Sequence, residues 1–179
     1  MKVIMQEIEI KILEINRKDI EKKLLALGAV KKFDGIIQAL YFDYPDGSIN
    51  KVKNTLRLRK EGEKVVLTFK KHGKDKKVKI CEELEVSVSD FEVMKQILEA
   101  MGVKQWLSMK KQRTSYSLDG THFEFDRYVD EYDYIPEFVE IEAKDIETLY
   151  KVVEILGFQK EDCKPWGVLK LIKHYSQKE

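Results

Sequence analysis

The N-terminal part of the chain alternates charged and apolar residues with a period of two. Glu7, Glu9 and Lys11 share one parity, and isoleucines at positions 8, 10 and 12 share the other. Because successive side chains of a β-strand point to opposite faces, this pattern predicts a strand over about residues 3–13 with one apolar and one charged face. An amphipathic surface strand would have the same pattern, so the interpretation depends on the rest of the chain.

A unit of the same kind recurs twice. Each unit has a Glu-x-Glu strand, an Asn or Asp that can cap a helix, an amphipathic helical pattern and a glycine that can end the helix. The carboxylates, caps and glycines of the three units are Glu7, Glu9, Asn16 and Gly28; Glu83, Glu85, Asp90 and Gly102; and Glu140, Glu142, Asp145 and Gly157. We interpret them as an internal repeat of one strand–helix unit, with helices over about residues 17–27, 91–101 and 145–156.

Five further strands are predicted outside these units, over residues 30–44, 56–59, 65–70, 103–118 and 122–128. Asp119-Gly120 is the strongest short hairpin signal in the chain. Turns are expected at residues 45–47 and 61–63, a solvated loop at 72–77 and a short final helix around 165–169. The two units with strands over 78–88 and 138–142 complete the sheet.

The charged sides of these strands converge on one surface if the sheet curls. By parity that surface holds the carboxylates Glu7, Glu9, Glu83, Glu85, Glu124, Asp126, Glu140 and Glu142 and the cations Lys11, Arg57, Arg59, Lys70, Lys111 and Arg113. A flat sheet with a hydrated polar face is the alternative. Three Glu-x-Glu strands and an Arg-x-Arg strand together favour a mostly antiparallel barrel with a charged lumen and helices outside.

Such a lumen needs partners for its charges, because charged groups removed from water must be paired, hydrated or neutralised by a ligand. Clustered carboxylates suit Mg²⁺ or Mn²⁺. Clustered lysine and arginine side chains suit phosphate oxygens, which arginine can grip with two hydrogen bonds. The combination predicts a site for a metal-bound polyphosphate.

Composition limits the class of protein. The chain has 179 residues, which predicts a single domain over residues 1–179, and 36% of them are charged although the net charge is only +1. Near-neutrality argues against binding a nucleic acid duplex. No apolar run reaches the roughly 20 residues of a membrane span, and no extended apolar signal region opens the chain, so no membrane partner is expected. Cys81 and Cys163 are interpreted as free thiols in a reducing cytoplasm.

An ordered series of motifs runs through nearly the whole chain. It consists of Glu7-Ile8-Glu9-Ile10-Lys11, Gln38, Tyr41-Phe42-Asp43, Leu56-Arg57-Leu58-Arg59, Leu67-Thr68-Phe69-Lys70, Glu83-Leu84-Glu85, Lys111-Gln112-Arg113, Asp126 and Phe138-Val139-Glu140-Ile141-Glu142. This series resembles the CYTH superfamily, also called triphosphate tunnel metalloenzymes. The resemblance implies an α+β fold with a closed eight-stranded antiparallel β-barrel, a tunnel that binds triphosphate with a divalent metal ion.

The resemblance also implies roles for individual residues. The metal ligands would be Glu7, Glu9, Glu140 and Glu142, with Glu83, Glu85 and Asp126 as further ligands or water-positioning groups. The phosphate clamp would be Lys11, Arg57, Arg59, Lys70, Lys111 and Arg113. Lys11, Arg59 and Asp126 are the candidate catalytic residues. Glu124 and Lys79 can share the parity of these residues without a role in the site.

The chain is most similar to small members described as class IV adenylate cyclase-like, which sit beside thiamine triphosphatases and inorganic triphosphatases. It departs from the family pattern in two places. Pro165-Trp166 stands where the family often has Ser-Tyr, so no substrate role is assigned to the tail, and the N-terminal His-Phe pair of the cyclases is absent. The second departure weakens the cyclase interpretation.

Three functions remain open from the sequence. The leading one is metal-dependent hydrolysis of inorganic tripolyphosphate, thiamine triphosphate or a nucleoside triphosphate. An adenylate cyclase would use the same clamp, with a ribose hydroxyl attacking the α-phosphate in place of water. A non-catalytic polyphosphate- or nucleotide-binding module is the third. Homodimerisation is possible, and the motifs specify neither the substrate nor the preferred metal.

Overall fold

The computed structural model describes residues 6–72 and 79–177, and the side chains of residues 8–71 and 82–177. The strands are β1 (Gln6–Ile12), β2 (Val30–Asp43), β3 (Thr55–Glu61), β4 (Lys64–His72), β5 (Lys79–Val88), β6 (Lys104–Leu118), β7 (Thr121–Tyr128) and β8 (Phe138–Ala143). The helices are α1 (Arg17–Ala26), α2 (Ser48–Lys51), α3 (Phe91–Ala100), α4 (Ile146–Ile155) and α5 (Val168–Tyr175). The loop predicted after His72 and the side chains of Glu7, Lys79 and Cys81 lie outside the described residues.

The eight strands form one antiparallel sheet that curls around a central axis. The hydrogen-bonded order is β1-β5-β4-β3-β2-β6-β7-β8, and β8 pairs with β1. Hairpins connect β3 to β4, β4 to β5, and β6 to β7. The predicted α+β architecture, with eight antiparallel strands and helices outside, is confirmed.

Period-two alternation explains why the helices lie outside the sheet. The isoleucines of β1 face outward and join a core with Phe123 and Phe125 of β7, which α1 and α4 cover through Leu24 and Leu149. A second outer core lies beneath α3, where Phe91 and Leu98 pack against Leu58 of β3 and Phe42 of β2. Burial of these apolar faces turns the charged parity of each strand toward the inside of the curled sheet.

The three predicted strand–helix units have the expected ends. Asp90 accepts a hydrogen bond from the Val93 N–H at 2.8 Å, and Asp145 accepts one from the Thr148 N–H at 2.7 Å. Asn16 occupies the same position before α1 but makes no side-chain cap. Each helix is followed by a glycine with a left-handed φ of 88°, 92° or 89°, a conformation that costs glycine little.

The C-terminal helix differs from the prediction in position and extent. It begins at Val168 and not at Pro165, because Pro165 and the extended Gly167 precede its first turn. Lys164 pairs through its backbone with Lys11, at 2.9 and 2.8 Å, along the part of β1 that lies beyond its pairing with β5. This contact directs α5 across one end of the curled sheet.

At that end the inward-facing residues are apolar. Phe138 has the same parity as Glu140 of β8, and it packs with Met109 of β6 and with Leu171 and Tyr175 of α5. Parity predicted charged residues on the inner face and did not identify these apolar ones. Helix α5 therefore covers an apolar end of the interior, and the charged residues lie beyond it.

Candidate active site

The curled sheet encloses a cavity of about 250 Å³. The six cations predicted for the phosphate clamp all line it: Lys11, Arg57, Arg59, Lys70, Lys111 and Arg113. Its carboxylates are Glu9, Glu83, Glu85, Glu124, Glu140 and Glu142. The structure thus brings together charged side chains from seven of the eight strands. The side chain of Glu7 lies outside the described residues.

Arg57 and Arg59 enter the cavity from one strand, β3. Within the part of the chain that the structure describes, the buried Nε atoms of both guanidinium groups have no hydrogen-bond partner. The ion pair of Arg59 is a distant one, with Nη2 3.9 Å from the Glu61 carboxylate. Burial lowers the pKa of Arg59, and the nearby charges of Arg57 and Arg113 lower it further. Both arginines therefore retain hydrogen-bonding capacity toward an anion.

Arg113 is held very differently. Its Nε and Nη2 atoms donate to the two oxygens of Asp126 at 2.6 and 2.5 Å, while its Nη1 atom pairs with Glu124. The Nη2 atom also lies 3.4 Å from Glu140. The flanking carboxylates raise the pKa of Arg113 against the opposing effect of burial. Arg113 is therefore a rigid, permanently charged centre of the cavity wall.

Asp126 lies behind this wall and not in it. Its side chain is completely buried, and the Lys111 Nζ donates to it at 2.5 Å in addition to the two bonds from Arg113. Burial would raise its pKa, but the two cations outweigh burial and the pKa is lowered. Asp126 is thus an ionised carboxylate that fixes two cations of the cavity.

Lys111 is a buried cation whose charge can change near neutral pH. Burial and the nearby positive charge of Arg113 lower its pKa to about 8, against the attraction of Asp126. A bound polyphosphate would oppose this shift, because an adjacent negative charge favours the protonated ammonium group.

The other two lysines of the cavity pair with carboxylates on neighbouring strands. Lys11 donates to Glu140 at 2.5 Å and lies 3.9 Å from Glu9. Lys70 forms an ion pair with Glu83, which is its direct partner in the β4–β5 register. Next to this pair, Glu85 accepts a hydrogen bond from the Thr68 hydroxyl at 3.3 Å. The carboxylates of β5 therefore belong to the environment of Lys70.

Two pairs of carboxylates face each other across strands. Glu9 is directly opposite Glu142 in the β1–β8 register, and Glu124 is directly opposite Glu140 in the β7–β8 register. Like charges at such positions repel. Burial raises the pKa of Glu142 to about 7, and the charges of Glu124, Glu140 and Glu9 add to that shift. This side of the cavity has an excess of negative charge.

Two contributions to the site were not predicted from the sequence. The sequence assigns Glu124 no role, but strand pairing brings it beside Arg113 and opposite Glu140. Gly167 and Val168 line the cavity although no role was given to the tail. Parity could identify Glu124 as inward-facing, whereas its partner across the strands is set by register, which parity does not determine.

The fold and site together define a class of protein in which a curled antiparallel sheet surrounds a cavity of mixed charge. The sequence model of the CYTH domain matches residues 5–163. The chain belongs to the CYTH domain family, whose members are enzymes that act on triphosphates.

No helix among the described residues is long and apolar enough to cross a membrane.

Two relatives and one more distant structural neighbour are similar to this chain. A Methanocaldococcus jannaschii protein, provisionally named an adenylate cyclase, is 30% identical over 155 residues, which are 84% of this chain and 85% of that protein. The structure of PH1012 from Pyrococcus horikoshii has a TM-score of 0.77 and 28% identity, and the match covers 92% of this chain and 98% of the other. A Hippeastrum protein described as having a dominant triphosphatase activity shares the fold, with a TM-score of 0.65 and 17% identity over 95% of this chain and 96% of that one.

Proposed function

We propose that this protein is a metal-dependent triphosphatase that hydrolyses a triphosphate inside the charged cavity, with Mg²⁺ or Mn²⁺ as cofactor. The observation that carries the proposal is the pair of guanidinium groups on β3, whose buried Nε atoms lack a partner among the described residues. Buried donors without partners are costly, and a phosphate oxygen is a strong acceptor that arginine can grip in a bidentate manner. The triphosphatase activity described for the Hippeastrum protein supports the same reaction.

The residues present fit a divalent cation. Oxygen atoms of Glu124, Asp126 and Glu140 lie within 4.8 Å of one another, and carboxylate oxygens are the ligands that Mg²⁺ and Mn²⁺ prefer. Glu9 and Glu142 face each other across β1 and β8, and we propose that they hold the metal together with Glu140 and Glu124. Both oxygens of Asp126 already bond to Arg113, so we propose that Asp126 positions that cation. When bound, the metal would neutralise phosphate charge and activate a water molecule.

The remaining carboxylates that the sequence offers as ligands are Glu83, Glu85, Asp126 and Glu7. Glu83 pairs with Lys70 and Glu85 with Thr68, which places them near the clamp. We propose that they orient Lys70, and that Asp126 acts as a positioning residue through Arg113 and Lys111. Glu7 is still predicted to be a ligand from its parity with Glu9.

The cations of the cavity supply the charge stabilisation that hydrolysis requires. Arg57 and Arg59 would grip the triphosphate from one strand, while Lys11, Lys70, Lys111 and Arg113 surround it from the others. Hydrolysis is accelerated only by those contacts that strengthen as negative charge builds on the leaving phosphate. We propose that Lys11 and Arg59 make such contacts.

The same function implies an architecture and a setting for the whole protein. The eight strands would form a closed tunnel around the triphosphate, within a single domain of residues 1–179. We expect the protein to act in the cytoplasm on a small-molecule substrate, as a monomer or homodimer. The name of the Methanocaldococcus jannaschii relative supports adenylate cyclase as a second candidate activity.

Product analysis separates these activities. The purified protein would be incubated with tripolyphosphate, thiamine triphosphate or ATP in the presence of Mg²⁺ or Mn²⁺, with EDTA as the control. A triphosphatase releases orthophosphate or pyrophosphate, a cyclase releases pyrophosphate together with cyclic AMP, and a binding module releases neither. Cyclic AMP as the main product from ATP would replace the proposed reaction by the second candidate.

A further inference from the structure

A second pocket lies outside the curled sheet, between α1, α4 and the hairpin that joins β6 to β7. Its volume is about 360 Å³, which falls among the volumes of small-molecule pockets. None of its lining residues also lines the charged cavity. The two spaces are therefore separate, and the triphosphatase proposal leaves this pocket without a role.

Much of the lining of this outer pocket is apolar. Phe123 of β7 and Leu24 of α1 are completely buried in it. Leu27 and Ile155 also line it but are 46% and 48% exposed. A hydrocarbon group that entered the pocket would thus cover apolar surface that the described chain leaves open to water, which is favourable.

Helix α4 gives the pocket a polar end and an apolar end. Lys144 precedes the helix, and Thr148 and Lys151 follow it along the lining. Val152 and Ile155 continue the same stripe, because residues three and four apart share one face of a helix. At a rise of 1.5 Å per residue, the stripe from Thr148 to Ile155 is roughly 10 Å long. The pocket is therefore amphipathic along its length.

Two ammonium groups at the polar end keep their hydrogen-bonding capacity. Neither Lys144 nor Lys151 makes a hydrogen bond or a close ion pair within the part of the chain that the structure describes. Asp145 attracts Lys144, but its carboxylate oxygens accept from the N–H and the hydroxyl of Thr148 at 2.7 and 2.9 Å. Asp119, in the same lining, offsets one of the two positive charges. The polar end thus retains a net positive charge.

A buried hydroxyl group lies at the same end. Thr121 lines the pocket and is only 2% exposed, and among the described residues its hydroxyl has no hydrogen-bond partner. In the β7–β8 register His122 is opposite Glu142, so Thr121 lies beside the residues that lead into Lys144. A buried hydroxyl without a partner is costly. An acceptor oxygen on a ligand would remove this cost.

We propose that the outer pocket binds a small monocarboxylate with a hydrocarbon body, of the medium-chain fatty acid type. Its carboxylate would accept hydrogen bonds from the Thr121 hydroxyl and from the ammonium groups of Lys144 and Lys151. Its hydrocarbon body would extend along α4 to Val152 and Ile155. An uncharged hydrocarbon would leave the polar end unpaired, and a polyphosphate would leave the apolar end unfilled. This site is additional to the proposed triphosphatase function and does not depend on it.

Octanoate is the probe for the first test. It would be titrated into the full chain by calorimetry, without metal or triphosphate, so the result is independent of the proposed function. We expect one saturable site with a Kd of about 1 mM or tighter. Butyrate keeps the carboxylate but lacks most of the hydrocarbon, and octanol keeps the hydrocarbon but lacks the charge. Each should bind at least about tenfold more weakly than octanoate.

The position of the probe is tested by NMR and by substitution. Octanoate should shift the methyl signals of Val152 and Ile155. Lys151→Gln removes a charge at similar length, and Thr121→Val removes the hydroxyl at similar shape, so each should raise the Kd by about fivefold. Lys173→Gln is the matched control, since Lys173 is an exposed residue of α5 outside the pocket lining, and its Kd should equal that of wild type.

The proposal is overturned if octanoate binding does not saturate, or if Lys151→Gln and Thr121→Val both bind it as wild type does. Methyl shifts confined to other parts of the protein would also overturn it. A second copy of the chain is the competing occupant. If ultracentrifugation shows a dimer that does not bind octanoate, and Ile155→Glu makes it monomeric, the pocket is an interface between copies and the monocarboxylate site is rejected.

Discussion

Glu9 of β1 and Glu142 of β8 lie directly opposite each other on the inner face of the sheet. Two carboxylates at opposed positions repel, and this repulsion contributes to the elevated pKa of about 7 for Glu142, after burial and the charge of Glu124. A divalent cation would remove the repulsion. The relationship therefore connects the stability of the metal-free protein to its metal affinity.

The first prediction concerns Glu142→Gln. Folding raises the pKa of Glu142 from 4.5 to about 7, so the folded state binds this proton more tightly than the unfolded chain does. Stability from this group is present below pH ~4.5 and is lost as the pH rises toward 7. Without metal, Glu142→Gln should be more stable than wild type at pH 8, by up to about 3 kcal/mol, and similar to it near pH 4.

Urea unfolding in EDTA at the two pH values measures this difference. Mn²⁺ should then raise the Tm of wild type more than that of Glu142→Gln, because the variant has lost a ligand charge. Glu154→Gln removes an exposed charge of α4 and should show neither effect. A variant that is less stable than wild type at pH 8 would show that Glu142 is stabilised by its surroundings and not repelled.

The second prediction concerns Arg59→Lys. Lysine keeps the positive charge but loses the planar fork that can hold two phosphate oxygens. We expect kcat to fall by more than the affinity for the metal–triphosphate complex changes, with a loss of about 1–3 kcal/mol in transition-state stabilisation. The measurement is kcat together with Kd, at matched salt.

Lys60→Ala provides the control, since Lys60 is the exposed neighbour of Arg59 and points to the other face of β3. Its kinetics should match those of wild type. A change in Kd alone in Arg59→Lys would make Arg59 a residue that binds ground state and transition state equally.

The third prediction concerns Asp126→Asn. This substitution leaves Arg113 and Lys111 without their shared buried carboxylate, so the free energy of unfolding should fall by about 3 kcal/mol. Asp34→Asn, which weakens an exposed ion pair with Lys31, should lose much less. Urea unfolding compares the two variants. Equal losses would contradict a structural role for Asp126 beneath the clamp.

The fourth prediction concerns the glycine after α3. Gly102 has a φ of +92°, and no heavy atom of the described residues would lie within 4 Å of an added Cβ, so Gly102→Ala tests backbone strain. We expect a loss of about 1–2 kcal/mol in the free energy of unfolding. Gly167→Ala is equally open but at an ordinary negative φ, so it should lose less, and only through its position as the N-cap of α5. Equal losses of unfolding free energy in the two variants would show that backbone strain does not explain the glycine at position 102.

The alternation of charged and apolar residues predicted much of the fold because it reports which face of each strand is buried. It correctly placed Ile8 and Ile10 outside and Arg57 and Arg59 inside, and the caps at Asp90 and Asp145 predicted the helix starts. These signals are local, because each depends only on residues of one strand or one helix.

Features that depend on contacts between distant elements could not be predicted in this way. The pairing of Glu124 with Glu140 depends on the register of β7 and β8, and the position of α5 depends on the backbone pairing of Lys164 with Lys11. The direction of the Trp106 side chain depends on a bulge that appears only when β6 is paired with β2. The sequence has no local signal for any of them.

The most direct measurement of the central claim is the release of orthophosphate from tripolyphosphate by the purified protein, with and without Mg²⁺ or Mn²⁺. The cavity predicts turnover that requires the metal, disappears in EDTA and is largely lost in Arg57→Ala. The guanidinium of Arg57 faces the cavity, and its Nε has no partner among the described residues. Saturable binding of tripolyphosphate without release of phosphate under any metal condition would contradict the claim.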